Sequence, residues 1–89
     1  MHMNKNEKNL TLTLVKKAIG INSLTTNHEK FISALLHKFD LFGFNEYIEL
    51  TSYTSGFIAC LNELGIVKCE EIAVFYDIAN IFWNVATKQ

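Results

Sequence analysis

The sequence predicts an all-α fold of four helices, or of five if the third helix is broken. Proline is absent from all 89 positions, so every residue has the backbone N–H that a helix interior needs. Gly20, Gly43 and Gly65 each stand between two apolar residues, where a glycine can adopt a left-handed conformation and end a helix. The segments between these three predicted helix stops carry apolar residues at helical spacing.

The chain is expected to form a single helical domain over residues 1–89, which is within the usual size of one domain. Apolar residues make up 49% and charged residues 19% of the chain, close to the averages of globular proteins. Residues 1–6 are expected to be a flexible start that is partly derived from cloning. That stretch is polar, and its His2-Met3 pair is typical of a cloning scar.

The first helix is predicted over about residues 7–19. Leu10, Leu14 and Ala18 fall on one face of it, with Val15 and Ile19 beside them. Residues 10–14 also alternate between leucine and threonine, a pattern typical of a strand. Because a lone strand needs a partner and no other segment resembles a strand, we favour the helix.

The second helix is predicted over about residues 27–42. Thr26 followed by Glu29 fits a capping box, in which each side chain accepts a hydrogen bond from a backbone N–H of the other residue. The face of this helix that is expected to be buried carries four large apolar residues at helical spacing. They are Phe31, Leu35, Phe39 and Phe42.

The third helix is predicted over residues 46–64, with Asn45 as its N-cap. Residues 51–56 are poor helix formers, and the sequence leaves open a break between Ser52 and Gly56. One face of this helix is expected to be apolar. It consists of Tyr47, Leu50, Thr54, Phe57, Leu61 and Leu64.

The last helix is predicted over residues 69–87 and is apolar around most of its circumference. A helix of that kind is normally buried on nearly all sides, and three short helices are hardly enough to cover it. We therefore predict a homodimer with this helix in the interface. The alternative is a central helix wrapped by the other three. The predicted interface residues are Phe75, Ile78, Phe82 and Trp83.

The sequence predicts no enzyme, no metal site and no cofactor. His28 and His37 are nine positions apart on one predicted helix and face roughly opposite ways, and Cys60 and Cys69 belong to no ligand motif. Nothing in the sequence resembles a signal peptide, because residues 1–9 are polar and lack an apolar core. The longest apolar stretch, residues 72–86, is too short and too polar to cross a bilayer. We expect a cytoplasmic protein with reduced thiols and no contact with membranes.

Sequence-specific DNA binding is disfavoured. Residues 17–22 resemble the turn of a helix-turn-helix, but Lys16 stands where that motif needs a small residue and Thr26 where it needs an apolar one. All eight basic residues are lysines, whereas base reading most often uses arginine.

The charges are divided unevenly along the chain, and this division suggests a function. Residues 1–38 carry six lysines and two acids, a net charge of +4, whereas residues 39–89 carry two lysines and seven acids, a net charge of −5.

An acidic surface with tyrosines suits a basic protein partner. The sequence thus predicts a small inhibitor of a basic protein, of the immunity-protein, antitoxin or phage-inhibitor type. The alternative is a small dimeric transcriptional regulator that contacts DNA directly or through another protein. The predicted partner-binding residues are Glu46, Tyr47, Glu49, Tyr53, Glu63, Glu70, Glu71 and Asp77.

Overall fold

Four α-helices account for most of the chain in the computed structural model, which describes residues 1–88. No residue within that span lies in a strand, so the predicted all-α fold is confirmed and residues 10–14 are helical. Two short 3-10 helices, Ile21–Ser23 and Cys69–Glu71, precede the second and fourth α-helices. The α-helices are α1 (Lys5–Ile19), α2 (Thr26–Leu41), α3 (Tyr47–Glu63) and α4 (Ile72–Ala86).

Helix α4 is the centre of the fold, because α1, α2 and α3 all pack against it. Phe75, Ile78 and Phe82 are completely buried within the single chain, and Trp83 is partly buried. Three of the four residues predicted for a dimer interface therefore lie in the chain's own core. Helices α1, α2 and α3 bury these three side chains, as in the alternative of a central helix wrapped by the other three, while Ile81 and Trp83 of α4 are only partly buried. The three side chains are therefore not available to a dimer interface.

Helix α1 begins two residues earlier than predicted, at a capping box formed by Asn4 and Glu7. The Glu7 backbone N–H donates to Asn4 Oδ1 at 2.8 Å, and the Asn4 backbone N–H donates to Glu7 Oε1 at 3.0 Å. The face turned to the core holds Thr11 and Val15. Leu10 and Leu14, which had been expected to share a face with Ala18 next to Val15, are exposed instead.

The first residues are packed against the fold, where the sequence had suggested a flexible start. Met3 is buried, and the Met1 ammonium group donates to the carbonyl oxygen of Phe44. The Phe44 backbone N–H donates to the Met1 carbonyl oxygen at 3.1 Å in return. His2 Nδ1 lies 2.8 Å from the carbonyl oxygen of Phe39, so this segment covers the turn between α2 and α3.

The cap of α2 is displaced by one residue from its predicted position. Thr25 is the N-cap, and its capping-box partner is His28 rather than Glu29. The two adjacent threonines carry the same hydroxyl group, and the structure uses the one that allows His28 to be buried.

Helix α3 is continuous through the segment where a break had been left open. Thr54 is buried, and its hydroxyl donates to the Leu50 carbonyl oxygen at 2.8 Å, so the side chain needs no other partner. Asn45 is not the N-cap: Glu46 holds that position, without a side-chain hydrogen bond to the helix. The Asn45 backbone N–H donates instead to Glu49 Oε2 at 3.1 Å.

The three glycines end their helices as predicted, each with a positive φ angle. The clearest case is Gly43 (φ 66°), whose N–H donates to the Lys38 carbonyl oxygen at 2.9 Å. This bond closes the last turn of α2 and returns the chain toward the core. Phe44 then packs edge-on against Phe39, with ring centroids 5.0 Å apart, the contact that the sequence predicted.

Candidate protein-binding surface

The end of α2 and the start of α3 expose a group of large apolar side chains, and exposed acids stand next to them in the sequence. Phe42 is 68% exposed and Ile48 is 64% exposed, and Leu41 and Tyr47 are also exposed. Isolated apolar residues on a surface are ordinary, but a group of large ones beside charged residues is typical of an interaction site. We call Leu41, Phe42, Glu46, Tyr47, Ile48 and Glu49 the acidic corner.

The backbone of the α2–α3 turn is fixed by hydrogen bonds at the end of α2 and by the packing of Phe44 on the core. The N–H groups of Phe42 and Gly43 both donate to the Lys38 carbonyl oxygen at 2.9 Å. Phe44 is buried against Phe39 and against Tyr53, whose ring centroid lies 5.8 Å from its own. A turn fixed in this way loses little conformational entropy when a partner binds.

The negative charge of the acidic corner comes from the carboxylates of Glu46 and Glu49. Residues 39–50 contain three acids and no lysine, although Asp40 is paired with Lys8 of α1. Glu46 and Glu49 are exposed. Two cations lie close to the corner: the Lys38 ammonium group is 4.7 Å from the centre of the Phe42 ring, and the Met1 ammonium group donates to the Phe44 carbonyl oxygen.

Tyr47 connects the acidic corner to α4. Its hydroxyl donates to Asn80 Oδ1, and its ring meets Trp83 edge-on with centroids 5.6 Å apart. Part of the ring stays exposed. A tyrosine that is oriented by its neighbours and still accessible is the kind of anchor that dominates binding energy at protein interfaces.

The remaining predicted acids do not join this corner. Helices α3 and α4 are antiparallel, because Tyr47 contacts Trp83 while Ser55 Oγ lies 2.5 Å from the Tyr76 hydroxyl. Glu46 and Glu63 are 17 positions apart, which is about 25 Å along the helix. Glu63, Glu70 and Glu71 therefore lie toward the other end of this pair, with Asp77 between the two groups, and the eight predicted residues do not form one compact site.

Glu71 has a different neighbour, the buried side chain of His28. Burial lowers the pKa of His28 below its ordinary value of 6.5, and the nearby Glu71 carboxylate opposes that shift. His28 Nε2 has no hydrogen-bond partner among the described groups, and the ring lies edge-on to Phe75 with centroids 4.9 Å apart. The buried ring therefore favours the neutral imidazole.

The sequence did not single out Phe42, Ile48 or Leu41 as surface residues. Phe42 was placed in the buried stripe of α2, of which Phe31, Leu35 and Phe39 are completely buried as expected. Its position next to Gly43 was the available signal, because the residue before a helix-ending glycine is the C-cap and no longer follows the helical repeat.

In the part of the chain that the structure describes, no three side chains of His, Cys, Asp or Glu are grouped so that they could hold a metal ion. Cys60 and Cys69 are both exposed thiols. Over residues 1–88, no helix has the length and apolar character needed to cross a membrane.

Comparison with protein-family models, curated proteins and solved structures finds no match for this chain.

Proposed function

We propose that the protein binds a basic protein through the acidic corner and blocks that partner's activity. The observation that carries this proposal is the exposure of Phe42, at the end of α2, and of Ile48, which stands between Glu46 and Glu49 at the start of α3. The turn that joins the two helices is fixed by hydrogen bonds of its backbone. Apolar anchors would enter pockets of the partner, and the two carboxylates would meet its cations at the rim.

The charge distribution supports a basic partner. Rim carboxylates raise the association rate with a cationic surface, and this effect weakens as salt screens the charges. An apolar anchor acts mainly on dissociation, because its pocket must refill with water when the complex separates. The two classes of residue at the corner therefore predict two separable kinetic effects.

The first experiment is affinity capture from a lysate of the organism that encodes the protein, with three immobilised forms. They are the wild type, the corner variant Glu46→Lys/Glu49→Lys, and the control Glu63→Lys/Glu70→Lys, which makes the same charge change toward the other end of α3. We expect a basic protein to be retained by the wild type and the control and lost from the corner variant. Equal retention by all three forms would contradict the proposal.

The second experiment tests the anchor with the captured protein. Phe42→Ala should raise the dissociation constant about thirtyfold, which corresponds to about 2 kcal/mol at a central interface residue. A DNA-shift assay at two salt concentrations tests the alternative function. Retarded DNA together with an unaffected corner variant would favour a regulator acting through the lysine-rich residues 1–38.

A further inference from the structure

A shallow apolar groove runs between α1 and α4 and is separate from the acidic corner. Two adjoining depressions of about 470 and 510 Å³ share Leu14, Asn84 and Val85 in their walls. Leu10 is 50% exposed and Leu14 is 36% exposed. The groove therefore presents leucines of α1 that no other part of the described chain covers.

The charged residues of α1 at the two ends of the groove have opposite signs. Glu7 lines the depression that also contains Leu10, and Lys17 lines the other. Lys88 stands at the Glu7 end as well. At 100° per residue, Glu7, Leu10, Leu14 and Lys17 fall within about one quarter of the circumference of α1, so they form one narrow face.

The spacing along this face is symmetric. Position 12 is the midpoint between Glu7 and Lys17, and it is also the midpoint between Leu10 and Leu14. Consider a second α1 that runs antiparallel to the first, with position 12 of both helices at the same height along their axes. Each Leu10 is then level with a Leu14 of the other helix. Each Glu7 then stands level with a Lys17 of the other helix.

We propose that this groove binds a second copy of the same chain, with the two α1 helices antiparallel about position 12. A two-fold interface uses the same patch on both subunits, so the patch must complement itself. An apolar centre with an acid and a base at equal distances from it meets that requirement. The interface shares no residue with the acidic corner, which stays accessible on both copies.

Sedimentation equilibrium at micromolar concentration tests the dimer and its location. The wild type should be a dimer, and Leu10→Glu should sediment as a particle of 10.2 kDa, because a carboxylate would replace the apolar contact. The control is Ile48→Glu, the same kind of change at an exposed apolar residue of the acidic corner, and it should leave the dimer intact. A monomeric wild type, or a dimer that survives Leu10→Glu, would overturn the proposal.

A charge-exchange experiment tests the antiparallel arrangement. Lys17→Glu alone places acid against acid twice, and Glu7→Lys alone places lysine against lysine twice. Each variant should raise the dimer dissociation constant roughly tenfold, because two attractive pairs become repulsive. An equimolar mixture of the two variants restores both attractive pairs and should recover the dimer as a heterodimer.

Circular dichroism of each variant checks that α1 remains helical, since Glu7 also belongs to the capping box. Asn4 still caps the helix when residue 7 is lysine, so the fold is expected to persist. A mixture that associates no better than the separate variants would show that the two helices are not paired in this register.

Discussion

Thr25 and His28 hold the first turn of α2 by a reciprocal pair of hydrogen bonds. The His28 backbone N–H donates to Thr25 Oγ1 at 3.1 Å, and the Thr25 backbone N–H donates to His28 Nδ1 at 3.0 Å. The second bond requires a neutral imidazole, because a protonated Nδ1 cannot accept. The imidazole is also buried, so its protonation has consequences for folding.

The structure predicts that stability falls as the pH drops below about 6.5. The pKa of His28 is lowered in the folded state, so the unfolded chain binds the proton first. The contribution of His28 is complete above its unfolded pKa of about 6.5 and is lost as the pH falls toward the folded value. Urea unfolding from pH 8 to pH 5 measures this loss.

Two histidine variants isolate that effect. His28→Gln keeps a side chain able to accept at the capping position and should flatten the pH dependence. His37→Gln removes an exposed histidine and should leave the slope as in the wild type. Equal slopes for all three proteins would refute the assignment of the pH effect to His28.

Gly43 and Gly65 are expected to differ in their response to alanine. Both have a positive φ, which costs a residue with a Cβ about 1–2 kcal/mol. A Cβ at Gly65 meets open space, but at Gly43 it would clash with the backbone carbonyl of Met1. Gly43→Ala should therefore reduce the free energy of unfolding by more than Gly65→Ala.

Denaturant midpoints measure the difference between the two glycine variants. A chain that begins at Met3 lacks the Met1 carbonyl that causes the clash. In that chain Gly43→Ala and Gly65→Ala should reduce the free energy of unfolding by similar amounts. Identical losses in the chain of 89 residues would show that Met1 does not pack on the α2–α3 turn.

Phe82 should contribute to the stability of the single chain. It is completely buried and stacks on Phe39, with centroids 5.8 Å apart, so Phe82→Ala should cost about 3–5 kcal/mol. Phe42→Ala is the matched control at an exposed phenylalanine and should cost under about 1 kcal/mol. Unfolding is measured at a protein concentration too low for dimers to form. Under that condition, replacing a residue that only a second copy buries would change the free energy of unfolding little.

Features of the fold that depend on local chemistry could be predicted from the sequence. Gly43 and Gly65 end helices because only glycine adopts their φ angles easily, and the Phe39–Phe44 contact follows from that turn. The caps were displaced because neighbouring residues offer equivalent groups: Thr25 and Thr26 both carry a hydroxyl, and the choice depends on burying His28.

The exposed surfaces could not be predicted from periodicity. Leu10 and Leu14 lie beside Thr11 and Val15 on adjacent faces of α1, and either face could have packed against α4 from spacing alone. Thr11 can be buried because its hydroxyl donates to the Glu7 carbonyl oxygen at 2.8 Å, which leaves the leucines in the groove. The predicted acids are likewise divided between the two ends of α3 because the helix is long. A count of their total charge carries no information about that distance.

The most direct test of binding at the acidic corner is the association rate with the captured partner at low and physiological salt. The account predicts that Glu46→Lys/Glu49→Lys lowers this rate about tenfold at low salt and reduces its salt dependence. It predicts a much smaller effect for Glu63→Lys/Glu70→Lys. Equal rates and equal salt dependence for the wild type and the corner variant would contradict the account.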